Sequence, residues 1–189
     1  MKSFKDIIIG YYGGMANNAY VTAKSAAALG YNARYIIDQS DSFPFSQPVW
    51  EDCRMTLEHA DVYNGEWNAQ KWNDIATQEN WQAPTFFVTP RPHTCPTPSR
   101  ITSLVRWLLH RAYIAKHPNR AAVVGEFQKC DALFVCGIEA VILAYYAQIP
   151  FVIWPHGGDI RAAAGLAKFA GGGFKARLYH HIQQYFLKQ

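Results

Sequence analysis

Apolar and polar positions along the chain mark out its elements. "DIIIGYYGGMANNAYVTAKSAAALGYNARYIID" opens on a short apolar run, Ile7 to Ile9, of the kind carried by a strand buried on both faces. A loop follows, and Asn17 or Asn18 can cap the Ala-rich helix after it. That helix stops at Gly30, a natural C-terminal glycine, and Ala33 to Ile37 supply a second strand ended by Asp38. Further on, "KCDALFVCG", "IEAVILAYYAQ" and "IPFVIWP" read as strand, helix and strand. β-α-β order in both stretches predicts an α/β domain: a Rossmann-like, doubly wound, mostly parallel sheet with right-handed crossovers.

The middle of the chain is less regular. Residues 39–98 form an irregular, insertion-like segment, with proline-rich loops at "DQSDSFPFSQPVWEDC" and "TPRPHTCPTPSR". Between those loops, 52–64 is expected to be helical and "APTFFVTP" to be a short strand. Trp50, Trp67, Trp72 and Trp81 suggest packing by large aromatics, with a stacking platform as the alternative. From Ser99 to His117, Ile101, Leu104, Val105, Leu108 and Ala112 follow helical spacing, and Pro118 is expected to close the segment. Ser103, Arg106, His110 and His117 fall on the opposite face, flanked by Trp107, Tyr113 and Ile114. The result is a basic amphipathic helix, either a solvated surface or a membrane-surface element. A last helical pattern runs through Phe174, Leu178, Ile182, Tyr185 and Phe186.

Composition narrows the classes. Half of the 189 residues are hydrophobic and 17% are charged, which excludes a disordered chain and fits one domain over 1–189. The longest apolar stretch is interrupted by Gly137, Glu139, Gln148 and Pro150, whereas a membrane span needs about 20 continuous apolar residues. The start has no secretory pattern, so a cytoplasmic protein is expected, peripheral at a membrane if the basic surfaces serve that purpose. Cys53, Cys95, Cys130 and Cys136 form no CxxC pair and read as structural; no metal site is expected. The net charge of +4 hides an asymmetry. Residues 38–82 hold nine acids and two bases, whereas 91–120 hold six bases and 160–189 hold five, with no acid in either. Such blocks are solvated faces, or they converge on phosphate-bearing ligands or an anionic membrane. No nucleic-acid partner is expected.

Ligands of a doubly wound sheet bind beyond the carboxyl ends of its strands, and three strand ends here carry suggestive loops. In "GYYGGMANN", Gly13 and Gly14 permit close backbone approach, ahead of a helix whose N–H groups favour an anion. A tight turn without a ligand is the equal alternative. The glycines at 10, 13 and 14 depart from the GxGxxG dinucleotide spacing, although Asp38 stands where a ribose-binding acid is expected. In "CGIE", Gly137 and Glu139 open another helix. In "WPHGGDIR", His156 can carry a proton near neutral pH, and Gly157 and Gly158 can bring the backbone close to a ligand. Asp159 can hold a hydroxyl or cap a turn, and Arg161 can pair with phosphate or carboxylate.

"AQIPFVIWPHGGDIR", preceded by "CDALFVCGIEAVILAYY", resembles the N-terminal domain of glycosyltransferase family 4, the group 1 glycosyltransferases. Members commonly read as a helix, then "giPfv", then "HG-small-D" and a basic residue. "IIIGYYGGMANNAYVTAKSAAALGY" is similar to the family's opening strand, loop and helix. The likeness covers about residues 5–38 and 121–162. It implies the N-terminal, acceptor-side half of a GT-B fold and a transferase moving a sugar, with retention, from a nucleotide-sugar to a glycan, lipid or small-molecule acceptor. No metal or other cofactor is implied, the nucleotide-sugar being a substrate. By the same resemblance Gly13 and Gly14 approach the donor diphosphate or the acceptor, His156 sits near the transferred sugar as the catalytic candidate, and Asp159 orders its loop. The family's C-terminal domain carries paired glutamates that orient the donor, and this chain does not reach it. The chain is therefore expected to be part of a longer enzyme, or a short subunit completed by a partner. Two other readings stand beside it: an NAD(P)- or FAD-type oxidoreductase domain using Gly10 to Gly14 and Asp38, and a non-catalytic membrane-docking subunit.

Overall fold

The computed structural model describes residues 3–13, 18–37, 52, 69–91 and 104–154. Five strands, β1 (Ile8–Tyr12), β2 (Asn32–Ile36), β3 (Phe87–Val88), β4 (Ala132–Val135) and β5 (Phe151–Ile153), form one parallel sheet in the order β3-β2-β1-β4-β5. Helices α1 (Asn18–Ala28), α2 (Ala69–Gln78), α3 (Leu104–Leu109), α4 (Pro118–Phe127) and α5 (Ile138–Ala147) accompany it. This is the α/β, Rossmann-like doubly wound arrangement that the alternating pattern predicts.

Local chemistry explains the boundaries. After α1 the chain turns at Gly30, whose φ of +80° suits glycine. The Gly30 and Tyr31 amides then donate to the Ala27 and Ala26 carbonyls, at 2.9 and 3.0 Å, which satisfies two of the helix's last acceptors. Parallel strands need long crossovers, and these apolar strands are covered by helices.

Strand alternation sorts the side chains onto two faces. On one, Tyr12, Ile36, Leu133 and Val135 pack with Val123, Val124 and Phe127 of α4 and with Val141, Leu143, Ala144 and Tyr146 of α5. Complete burial of an aliphatic side chain such as Leu143 stabilises by about 1.5–3 kcal/mol. Gly10 lies inside β1, where an added Cβ would stand 2.7 Å from Leu133 Cδ2 and 2.8 Å from Cys130 Sγ, so close packing requires a glycine there. On the other face, Tyr11, Ala33, Tyr35 and Ile37 pack with Ala19, Tyr20 and Ala23 of α1, with Phe87 and Phe134 at its margins. Arg34 of β2 bonds Glu126 of α4 at 2.8 Å, tying the sheet to its helical layer.

The 99–117 prediction is corrected in two respects. Among the described residues, the helix runs from Leu104 to Leu109 and continues as a π-helical turn, His110–Ile114, closed by Ala115 N–H to the His110 carbonyl at 2.8 Å. The segment ends before Pro118, as expected. Pro118 itself opens α4 at a position where its missing N–H costs nothing. The inward face is also reversed, because Leu104, Leu108 and Ala112 are exposed while His110 and Ile114 are buried. The His110 ring can go inside because Nδ1 lies 2.8 Å from the Tyr146 hydroxyl, and burial lowers its pKa, favouring the neutral ring.

Within 39–98, β3 falls in "APTFFVTP" as expected, and α2 is an element the sequence pattern did not single out. Of the expected 52–64 helix only Asp52 is described. Its carboxylate accepts from the Tyr20 hydroxyl, from Lys24 Nζ at 2.5 Å and from Trp81 Nε1 at 2.9 Å. Trp81 thus packs against Phe87 and serves as a hydrogen-bond donor. Asp38, Trp50, Cys53, Trp67, Cys95 and the 174–186 pattern lie outside the described residues, as does Asn17.

Candidate functional site

Strand order reverses between β1 and β4. From β1 the sheet grows through β2 to β3, and from β4 it grows the other way to β5. The crevice beyond the carboxyl ends of these two strands is the natural ligand position in such a sheet. The structure brings two of the glycines singled out in the sequence to this crevice, Gly13 after β1 and Gly137 after β4.

Gly13 is required by contact and by conformation. The Cys136 amide donates to the Tyr12 carbonyl at 2.9 Å, drawing the two loops together. A Cβ on Gly13 would lie 2.2 Å from the Cys136 carbonyl oxygen, and its φ is +122°. Gly137 differs. Its φ of 91° and ψ of 153° belong to a region only glycine enters readily, yet among the described residues nothing lies within 4 Å of where a Cβ would be. Among the described residues the turn therefore leaves open space directly before α5. No side-chain hydrogen bond caps that helix, and the amides of its first turn carry the positive end of the helix dipole.

Glu139, in that first turn, is held sideways. Arg120 Nε donates to Glu139 Oε1 at 2.7 Å, while the guanidinium lies 3.6 Å from the centre of the Tyr113 ring. The bracket joins the N-terminal turns of α4 and α5 to the end of the π-helical turn. Arg120 was absent from the sequence reading. Its only signal there was membership of the basic run 91–120.

Trp154 is a second residue that the sequence reading passed over. Its amide donates to the Val135 carbonyl at 2.9 Å, continuing the β4–β5 pairing, and its indole meets Phe134 edge-on at 5.3 Å. The indole is 45% exposed at the carboxyl end of β5. A half-open aromatic there offers an apolar face to a sugar ring or a base. Phe134 in turn meets Tyr11 at 5.7 Å, so aromatic rings run across β5, β4 and β1. Burial raises the Tyr11 pKa, and this phenol stays protonated.

Gly14, His156, Gly157, Gly158, Asp159 and Arg161 lie outside the described residues. His156 is two positions along the chain from Trp154. Cys130 and Cys136 are buried, and burial pushes the Cys130 thiol up to about 11, leaving it protonated and unreactive at neutral pH. Among the described residues no cluster of three or more His, Cys, Asp or Glu side chains could hold a metal, and no helix is long and apolar enough to cross a membrane. Compared with known protein families, curated proteins and solved structures, the chain matches none.

Proposed function

We propose that this chain is the acceptor-side domain of a glycosyltransferase that moves a sugar, with retention, from a nucleotide-sugar to a glycan, lipid or small-molecule acceptor. One observation carries the reading. The stretches that resemble group 1 glycosyltransferases contain β1, β4 and β5, and the carboxyl ends of these strands are neighbours in the sheet. Sequence order alone does not require that Gly13, Gly137 and Trp154 follow neighbouring strands at the same edge.

In this reading the acceptor oxygen bonds to the anomeric carbon as the bond from that carbon to the diphosphate oxygen breaks. The nucleoside diphosphate leaves with the electron pair, and the acceptor proton passes to solvent or to the departing phosphate. Amides at the start of α5 and the Arg161 guanidinium would offset the leaving group's charge. Gly13, Gly14, Gly157 and Gly158 would let the backbone approach the ligands, and His156 would hold a hydroxyl of the reacting sugar. The second GT-B domain, from the same or a partner chain, would complete donor binding.

The oxidoreductase alternative loses its first glycine, because Gly10 sits inside β1 for packing reasons instead of in the loop. The test is transfer by the protein expressed from its whole reading frame, with UDP- and GDP-sugars as donors. His156→Ala is expected to lower turnover by about a hundredfold, the loss typical of one transition-state contact. Unchanged turnover sinks the assignment. Micromolar NAD(P)H binding with no response to nucleotide-sugars would instead favour the oxidoreductase.

A further inference from the structure

The side of α3 turned away from the core carries more apolar surface than the fold uses. Leu109 and Tyr113 pack against the core and Ile114 is fully buried, so the helix already has an inward apolar face. Leu104 and Leu108, one turn apart, are nonetheless 52% and 50% exposed. Arg111, Ala112, Ala115 and Lys116 continue the exposed surface. The Arg111 guanidinium lies 5.1 Å from the centre of the Trp107 ring, placing a cation on an aromatic edge beside the leucines. Among the described residues neither Arg111 nor Lys116 has a carboxylate partner, and 91–120 contains no acid.

We infer that this face docks onto an anionic lipid bilayer, with Leu104 and Leu108 entering the acyl boundary and Arg111 and Lys116 pairing with lipid phosphates. Charge and shape together select this occupant. Two leucines flanked by long cationic side chains match a surface that is apolar below and negative above. A nucleic acid would use the cations and leave the leucines in water. A second copy docked by the same face would gather Arg111 and Lys116 of both chains at one interface, with no acid in 91–120 to pair them, and such an excess of like charge disfavours the contact. Arg106 plays a different part. It turns to Gln148, at 2.7 Å, and to the Tyr146 ring, anchoring α3 to the end of α5. The docking helix is therefore held to the layer that covers the sheet. The inference goes beyond the transferase reading and does not depend on it.

The experiment is flotation of the purified 189-residue chain with phosphatidylcholine vesicles, with and without phosphatidylglycerol, at low and high salt. Co-flotation is expected with the anionic vesicles at low salt, and to weaken at high salt because the attraction is screened. Arg111→Glu with Lys116→Glu should lower the bound fraction by roughly tenfold or more, since each removed cation forfeits attraction and each new carboxylate adds repulsion. Leu104→Ser with Leu108→Ser should weaken binding while leaving the remainder salt-sensitive. All four positions are exposed, so unchanged thermal melts are expected and separate docking from folding. Absence of flotation at low salt overturns the inference. So does flotation that both double variants leave unchanged, which would place attachment elsewhere on the chain. Light scattering that shows a dimer dispersed by the leucine variants, without vesicle binding, replaces the bilayer with a second copy.

Discussion

The two faces of the sheet are closed by different chemistry. Under α4 and α5 the contacts are mostly between aliphatic side chains, with Val123, Val124, Val135, Val141 and Leu143 fully buried. Under α1 the face is aromatic. Tyr20 meets Tyr35 at 5.2 Å, Tyr35 meets Phe87 at 5.7 Å, and Phe87 meets Trp81 at 6.1 Å. Aliphatic packing needs only volume, whereas a buried tyrosine or tryptophan brings a polar tip that needs a partner. Asp52 supplies one acceptor to both Tyr20 and Trp81. The first face holds its polar contacts at the margins, in the His110–Tyr146 and Arg34–Glu126 pairs, whereas the second joins its aromatic rings through the Asp52 carboxylate.

The strongest test of that difference lies on the aliphatic face. Leu143 is completely buried in α5 and has no polar role. Leu143→Ala is expected to cost about 3–5 kcal/mol, through lost transfer energy and the cavity left behind. Urea unfolding should show a lower midpoint with no change in pH profile. A loss under about 1 kcal/mol would mean that the layer collapses to fill the space, and that its packing is looser than its burial indicates.

A smaller but more particular effect belongs to the aromatic face. Burial by itself would raise the Asp52 pKa; hydrogen bonds from Lys24, Tyr20 and Trp81, with the Lys24 charge, outweigh it and hold the carboxyl below its ordinary value. A carboxylate with a depressed folded-state pKa adds stability that is whole above the unfolded value, near pH 4, and is lost as pH falls through the folded value. Asp52→Asn should cost about 1.5–3 kcal/mol at neutral pH, the range for hydrogen bonds to a charged group. The gap between wild type and variant should narrow on acidification below about pH 4. Melting curves from neutral to acid pH check both parts, and a gap constant with pH would remove the charge from the explanation.

The same contrast explains how much could be read from the sequence. Strands β1 and β4 were legible from their apolar runs and β2 and β5 from shorter apolar stretches bounded by turn residues, and Gly30 marked the end of α1 because a left-handed turn favours glycine. The inward side of α3 was not legible. Leu104 and Leu108 make one apolar stripe while Leu109, Tyr113 and Ile114 make another, and periodicity cannot say which meets the core. The π-helical turn shifts the phase between them, and the Tyr146 hydroxyl gives the inward-facing His110 a partner that the sequence pattern does not reveal. Helix α4 was missed because Pro118 reads equally as a stop or as a first residue. At the crevice, Gly13 stood out as a loop glycine, but its cause is Cys136, far along the chain and adjacent only after β1 and β4 pair.

The smallest expected effect divides the two faces within one strand. On β5, Ile153 packs against the aliphatic core, while its neighbour Val152 points to the opposite face and is 63% exposed. Strand period two makes these neighbours a matched pair, with the same backbone environment and opposite surroundings. Ile153→Ala is expected to cost about 2 kcal/mol, at the low end for an aliphatic truncation because Ile153 is only partly buried. Val152→Ala should stay within about 0.5 kcal/mol of wild type, as surface substitutions do. Denaturant midpoints of the two variants measure the contrast directly. If Val152→Ala instead cost more than about 1 kcal/mol, the β5 end of the aromatic face would be covered in solution, and the row from Tyr11 through Phe134 to Trp154 would be part of a closed core instead of an open rim.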